Sequence, residues 1–164
     1  MFMRLYVPAT LTELETVSAG KIDFNPRRAH TATPKLIAEL AEHDVTDLEE
    51  VEYVAQLAAA DDSLLLIAAN PAAPWQRLVI SVDVPDSAVD LDPTPEDDED
   101  DLPASAVNIA EPLTGVAIVC VHVDEPEAAE DIQAVLQGSD EAMEALTERD
   151  LLWYDVTELP QIPR

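Results

Sequence analysis

Glycine, lysine and cysteine are all scarce in this sequence, and long apolar runs are missing from it. The three glycines, Gly20, Gly115 and Gly138, each stand alone, so there is no glycine-rich loop through which backbone amides could close on a phosphate. That excludes the standard mononucleotide and dinucleotide fingerprints, and with them kinase and dehydrogenase chemistry. One cysteine, Cys120, cannot form an internal disulfide. The stretch Met1–Pro8 lacks the charged start and apolar run of a secretion signal, so the expected location is the cytoplasm. The longest apolar run, Leu64–Ala69, is far too short to span a membrane. His30, His43 and His122 are far apart, and with no Cys-x-x-Cys and no histidine pair at helical spacing a zinc site is not expected. No cofactor is expected either.

Basic residues are the other shortage. Eight Lys and Arg face thirty-five Asp and Glu, a net charge of -27. Such a field repels nucleic acid, whose phosphates normally recruit Lys and Arg, and favours cations or a basic protein as partner. From Leu78 through Glu148 there is no Lys or Arg, against twenty acidic residues. Within that stretch, Pro85–Pro103 holds nine acidic residues and four prolines, so residues 86–102 are expected to form a disordered acidic loop. The run Glu96, Asp97, Asp98, Glu99, Asp100 and Asp101 is the candidate interaction surface. It lacks the glycine turn and alternating ligand spacing of a dedicated calcium loop. Solubility, salt adaptation or genome composition would also produce a Lys-poor, acid-rich chain without implying a partner.

Against these shortages stands an ample supply of core-forming residues. Of the 164 residues, 48% are apolar, enough to close one core despite the charge, and a single domain over 1–164 is expected. Leu5–Val7 reads as a strand. Thr10-Leu-Thr-Glu13 matches a capping box opening a helix that Gly20 ends. Asn25–Thr33 reads as a loop leading to a helix capped by Thr33 with Pro34 at its first position. Thr46-Asp-Leu-Glu49 is a second capping box, before a long helix with a possible break at Asp61-Asp62. Gln76–Val84 alternates as a strand does, Ala104–Ile109 is a further strand, and Val116–Val123 is apolar on both faces, as a central strand is. Two helices, ended by Gly138 and begun by Ser139, and a last strand over Leu151–Val156 complete the chain. The order predicts an α+β fold, with a mixed, mainly antiparallel sheet of about four to five strands packed by helices.

The chemistry on offer is sparse. Arg27, Arg28, Thr33 and Lys35, with His30 among them, are the one positive island, set at a helix N-terminus, and form the candidate anion-binding site. Pairing of the arginines with nearby carboxylates accounts for them equally well. Cys120 and His122 share a strand face, although a cysteine in so apolar a run behaves as a small hydrophobe. Glu49, Glu52, Tyr53 and Gln56 fall on neighbouring helical turns, an arrangement that a solvated face also produces. Trp75, Trp153 and Tyr154 are candidate interface anchors if exposed. No catalytic residue is assigned.

Tyr6-Val-Pro-Ala-Thr10, Leu48-Glu-Glu-Val-Glu-Tyr-Val54, Val121-His-Val-Asp-Glu125 and Leu151-Leu-Trp-Tyr-Asp155 together resemble an uncharacterised actinobacterial family, domain of unknown function 6912, over nearly the whole chain. The resemblance implies a cytoplasmic bacterial α/β-type protein and brings no catalytic or binding residues with it. High-GC coding would account for the Ala-rich, Lys-poor composition. Three functions stay open: a non-enzymatic acidic module that binds a basic protein surface; a small-molecule sensor or enzyme using Arg27, Arg28 and Lys35; and an interaction domain with an apolar patch whose acidity serves solubility.

Overall fold

The strand expected at Leu5–Val7 runs from Phe2 to Ala9 (β1) in a computed structural model that describes residues 2–91 and 103–163. Seven more strands join it: Lys21–Phe24 (β2), Arg27–His30 (β3), Leu78–Pro85 (β4), Val89–Asp90 (β5), Ala106–Ile109 (β6), Leu113–Val123 (β7) and Leu152–Asp155 (β8). All pairings are antiparallel, in the order β2-β7-β4-β1-β3-β6-β5. β8 pairs with the same strand as β2, one lying beyond the other along β7. Among the described residues the sheet is antiparallel throughout rather than mixed, and it has eight strands rather than four to five.

The three unforeseen strands, β2, β3 and β5, have two to four residues each, too short to show alternation, and β3 carries two adjacent arginines. Their partners make them strands. Thus Asn25–Thr33, expected as a loop, contains β3 registered on Ala106–Ile109. At the start of the acidic segment, Asp86–Ala88 is a 3₁₀ turn and Val89–Asp90 pairs with β6, in place of the disordered loop expected there. Glu96–Asp101 lie outside the described residues.

Among the described residues there are four α-helices: Pro34–Ala41 (α1), Leu48–Ala69 (α2), Ala128–Leu136 (α3) and Asp140–Glu148 (α4). Thr33 and Ser139 accept from the backbone N–H three residues on, as their cap positions predict. α2 begins one residue later than expected, with Asp47 rather than Thr46 as its N-cap, and it continues through Asp61-Asp62. The helix expected after Thr10 is only a 3₁₀ segment, Leu11–Thr16, although Glu13 does reach back to the Thr10 N–H at 3.0 Å. The segment stops at Val17, whose backbone is extended, short of Gly20, where φ is +74° and a Cβ would meet Val156 Cγ2 at 3.1 Å.

The two sheet faces differ. On one, Leu5, Val7, Ile80, Val82, Val121 and Val123 join Ile22, Phe24, Val107 and Ile109 in a single apolar cluster, closed by Leu11 and Leu14 of the 3₁₀ segment after β1 and by Ile162 beyond β8. Each such buried side chain contributes roughly 1.5–3 kcal/mol through burial. The other face carries Tyr6 and Val79, covered by Leu36 of α1 and by Val51, Ala55, Ala59 and Ala60 of α2. Small alanines let the long helix lie close on the strands. α3 and α4 pack through Ala128, Ile132 and Leu146 against Leu64 and Ile67 at the far end of α2.

Candidate functional site

Consecutive residues of a strand point to opposite faces, which separates Arg27 from Arg28 on β3. Arg27 is engaged: its Nη1 lies 2.5 Å from Glu13 Oε1, its Nη2 donates to the Pro8 carbonyl, and its guanidinium sits 5.7 Å from the Phe24 ring centre. Thr33 Oγ1 caps α1 and donates to the Ala104 carbonyl at 2.6 Å, while Lys35 is exposed. Neither of the two cavities described below includes Arg27, Arg28, Thr33 or Lys35.

His30 is fully buried and belongs to a different arrangement. Its Nε2 lies 2.6 Å from Asp62 Oδ2 and its Nδ1 lies 2.8 Å from Ser105 Oγ. With the proton on Nε2, directed at the carboxylate, Nδ1 accepts from the serine hydroxyl. The residue types are those of a hydrolase relay, yet Ser105 is 2% exposed and His30 0%, so the hydroxyl faces no substrate space. The chain acts as an internal strut joining β3, α2 and the segment that enters β6. Thirty-two residues separate His30 from Asp62 and seventy-five separate it from Ser105, and no local sequence pattern announces either contact.

The residues that do converge come from four other places. Tyr53, Gln56, Leu57 and Ala60 repeat at helical spacing along one face of α2. Facing them are His122 of β7, Arg77 just before β4, and Arg149, Asp150 and Leu151 between α4 and β8. Together they enclose a cleft of about 230 Å³. Tyr53 and His122 thus meet at a cleft lined by Arg77 and Arg149, and the Arg27–Lys35 island is no part of it. A second cleft, about 320 Å³, is lined by Leu14, Val17, Val156 and Leu159 with neighbouring backbone, and no ionisable side chain enters it.

In the first cleft, His122 Nδ1 is buried without a hydrogen-bond partner, and burial lowers its pKa below the ordinary histidine value, holding the ring neutral near pH 7. Both arginines are compensated. Arg77 donates from Nε to Asp124 Oδ2 at 2.7 Å and from Nη2 to Oδ1 at 2.9 Å, and its backbone N–H adds a third bond to Oδ2 at 2.9 Å. Arg149 donates from Nε to Asp131 at 2.8 Å and from Nη1 to Glu125; the Asp131 bond raises its pKa further. Of these carboxylates and Asp150, only Asp150 lines the cleft, beside the two guanidiniums.

Tyr53 and Leu57 of the cleft lining are exposed, and so is a strand neighbour of His122. Trp153 pairs across strands with His122 and so stands on the same side of the sheet. It is 57% exposed, Tyr53 50% and Leu57 41%. Tyr154, next in the strand, turns to the opposite side and packs on the apolar cluster. Trp75 is half-buried against Leu64 and Ile67, its Nε1 donating to the Pro71 carbonyl at 2.9 Å. Of the three aromatic anchors considered from sequence, Trp153 is the exposed one. Among the described residues, no group of three or more His, Cys, Asp or Glu side chains is placed to hold a metal ion, and no helix is long and apolar enough to cross a membrane.

Residues 3–162 match the model of a family of unknown function (DUF6912). No curated protein and no solved structure matches the chain.

Proposed function

We propose that this chain, which belongs to that family of unknown function, is a non-enzymatic cytoplasmic interaction module that presents an anionic surface to a basic protein. The observation that carries this reading is where the cations go. Arg4 pairs with Asp83, Arg27 with Glu13, Arg77 with Asp124, and Arg149 with Asp131 and Glu125. Four of the eight basic residues are thereby neutralised within the fold, and the surplus carboxylates face solvent. Complementary charge of this kind mainly speeds encounter and rejects wrong partners.

Titration with poly-lysine, with poly-glutamate as control, tests the reading. Binding of poly-lysine alone, weakening at least about tenfold between roughly 0.05 M and 0.3 M salt, is expected. Equal affinity at both salts, or no binding, refutes it.

A second reading is favoured by His122 Nδ1: a buried ring nitrogen lacking a partner beside two guanidiniums suits a small polar ligand. Thermal-shift screening against small carboxylates and phosphates separates the two. Stabilisation by one of these anions at low millimolar concentration, without poly-lysine binding, favours the second.

A further inference from the structure

We infer that the cleft between α2 and the chain entering β8 binds a free α-amino acid with a small aliphatic side chain, as its zwitterion. This rests on the small-ligand reading and gives that ligand a chemical class. The lining holds charge of both signs: the guanidiniums of Arg77 and Arg149, and the exposed residue Asp150. Both guanidiniums are fixed without being used up. Arg77 commits Nε and Nη2 to Asp124 and the Leu146 carbonyl, and Arg149 commits Nε and Nη1 to Asp131 and Glu125. Nη1 of Arg77 and Nη2 of Arg149 take no part in these bonds. Because carboxylates already hold each fork in place, little freedom is lost when a ligand carboxylate accepts from the remaining N–H groups.

Charge decides between ligand classes. A simple cation would face two guanidiniums in the lining. A simple anion would gain their N–H groups, but Asp124, Asp131 and Glu125 already balance these arginines, and the chain's net charge of -27 repels it on approach. A zwitterion meets neither obstacle: it carries no net charge, its carboxylate suits the arginines, and its ammonium suits Asp150. His122, held neutral by burial, adds no charge to upset that balance. Leu57, Ala60 and Leu151 give the cleft an aliphatic part. Its volume, about 230 Å³, lies below the roughly 300–1,000 Å³ of sites for drug-sized molecules, and suits a molecule of valine's bulk.

The probe is L-valine, measured by isothermal titration calorimetry on the whole chain beside isovalerate, which lacks the ammonium, and isobutylamine, which lacks the carboxylate. Valine is expected to bind, and each truncated compound at least about tenfold more weakly, since each forfeits a charge-assisted bond. Asp150→Asn should weaken valine about threefold and leave isovalerate unchanged. Arg149→Gln should weaken valine and isovalerate alike, by about tenfold. Urea unfolding of both variants checks that the fold is kept, and exposed Asp150 is the safer of the two. Failure of valine to bind overturns the inference, as does valine binding no tighter than isovalerate or indifferent to both substitutions. If isovalerate or inorganic phosphate binds in those cases, the small-ligand reading survives and only the ligand's class falls. If none of these probes binds, both fall.

Discussion

The two faces of the sheet divide the protein's physical tasks. On the face built by Leu5, Val7, Ile80, Val82, Val121 and Val123, the cluster is apolar throughout and every one of these six residues is 0% exposed. On the helix side the same strands present Tyr6, Ser81, Cys120 and His122, joined by His30 of β3, and the covering helix leaves a cleft at the β7–β8 end. A face that only has to exclude water can be uniform. The other face places polar groups where dry surroundings make each partner consequential, and it leaves one imidazole nitrogen unmatched.

The contrast can be broken most severely where charge is deepest. Asp124 and Arg77 are 1% and 5% exposed, and Asp124→Ala strands a buried guanidinium. A loss of about 3–5 kcal/mol in urea unfolding is expected, and less than about 1 kcal/mol would show that water reaches the pair. On the uniform face, Ile80→Ala should cost about 2–4 kcal/mol through lost burial and a cavity. A substantially smaller value would mean that this cluster collapses to fill space and is less rigid than its polar counterpart.

Titration sharpens the comparison further. Burial, followed by the Glu52 carboxylate 3.3 Å from its hydroxyl, pushes the Tyr6 pKa up to about 12. Because the folded-state value lies above the unfolded one of about 10, the fold favours the protonated phenol. Its contribution is whole below pH about 10 and disappears as pH rises towards about 12, on the order of 2 kcal/mol. Tyr6→Phe should remove that component of alkaline unfolding, and an unchanged alkaline profile would count against it. The smallest effect belongs to an exposed side chain: Trp153→Ala should alter stability by no more than about 0.5 kcal/mol. A large drop in melting temperature instead would identify Trp153 as a packing residue.

Local chemistry made some of this fold legible before any coordinates. Thr33, Ser139, Gly138 and the alternation in Leu78–Val84 act within a few residues of themselves, and each marks its element. The short strands were invisible because Lys21–Phe24 and Arg27–His30 are strands only by virtue of Val116 and Ala106 far along the chain. The cleft was half legible. Tyr53 and His122 stood out by residue type and spacing, and their meeting depended on strand order. Arg77 and Arg149 drew no notice, since a lone arginine in sequence carries no sign of the carboxylate that waits for it.

The strand order has a consequence for synthesis. β4 is complete at Pro85, but the strand that covers its outer edge, β7, ends at Val123. A chain leaving the ribosome from its N-terminus therefore holds an apolar, hydrogen-bonding edge open while nearly forty further residues are translated, the interval in which nascent chains pair with one another. The residues made during that wait carry no positive charge at all and many negative ones. Mutual repulsion between neighbouring nascent chains then guards the edge until its own partner arrives.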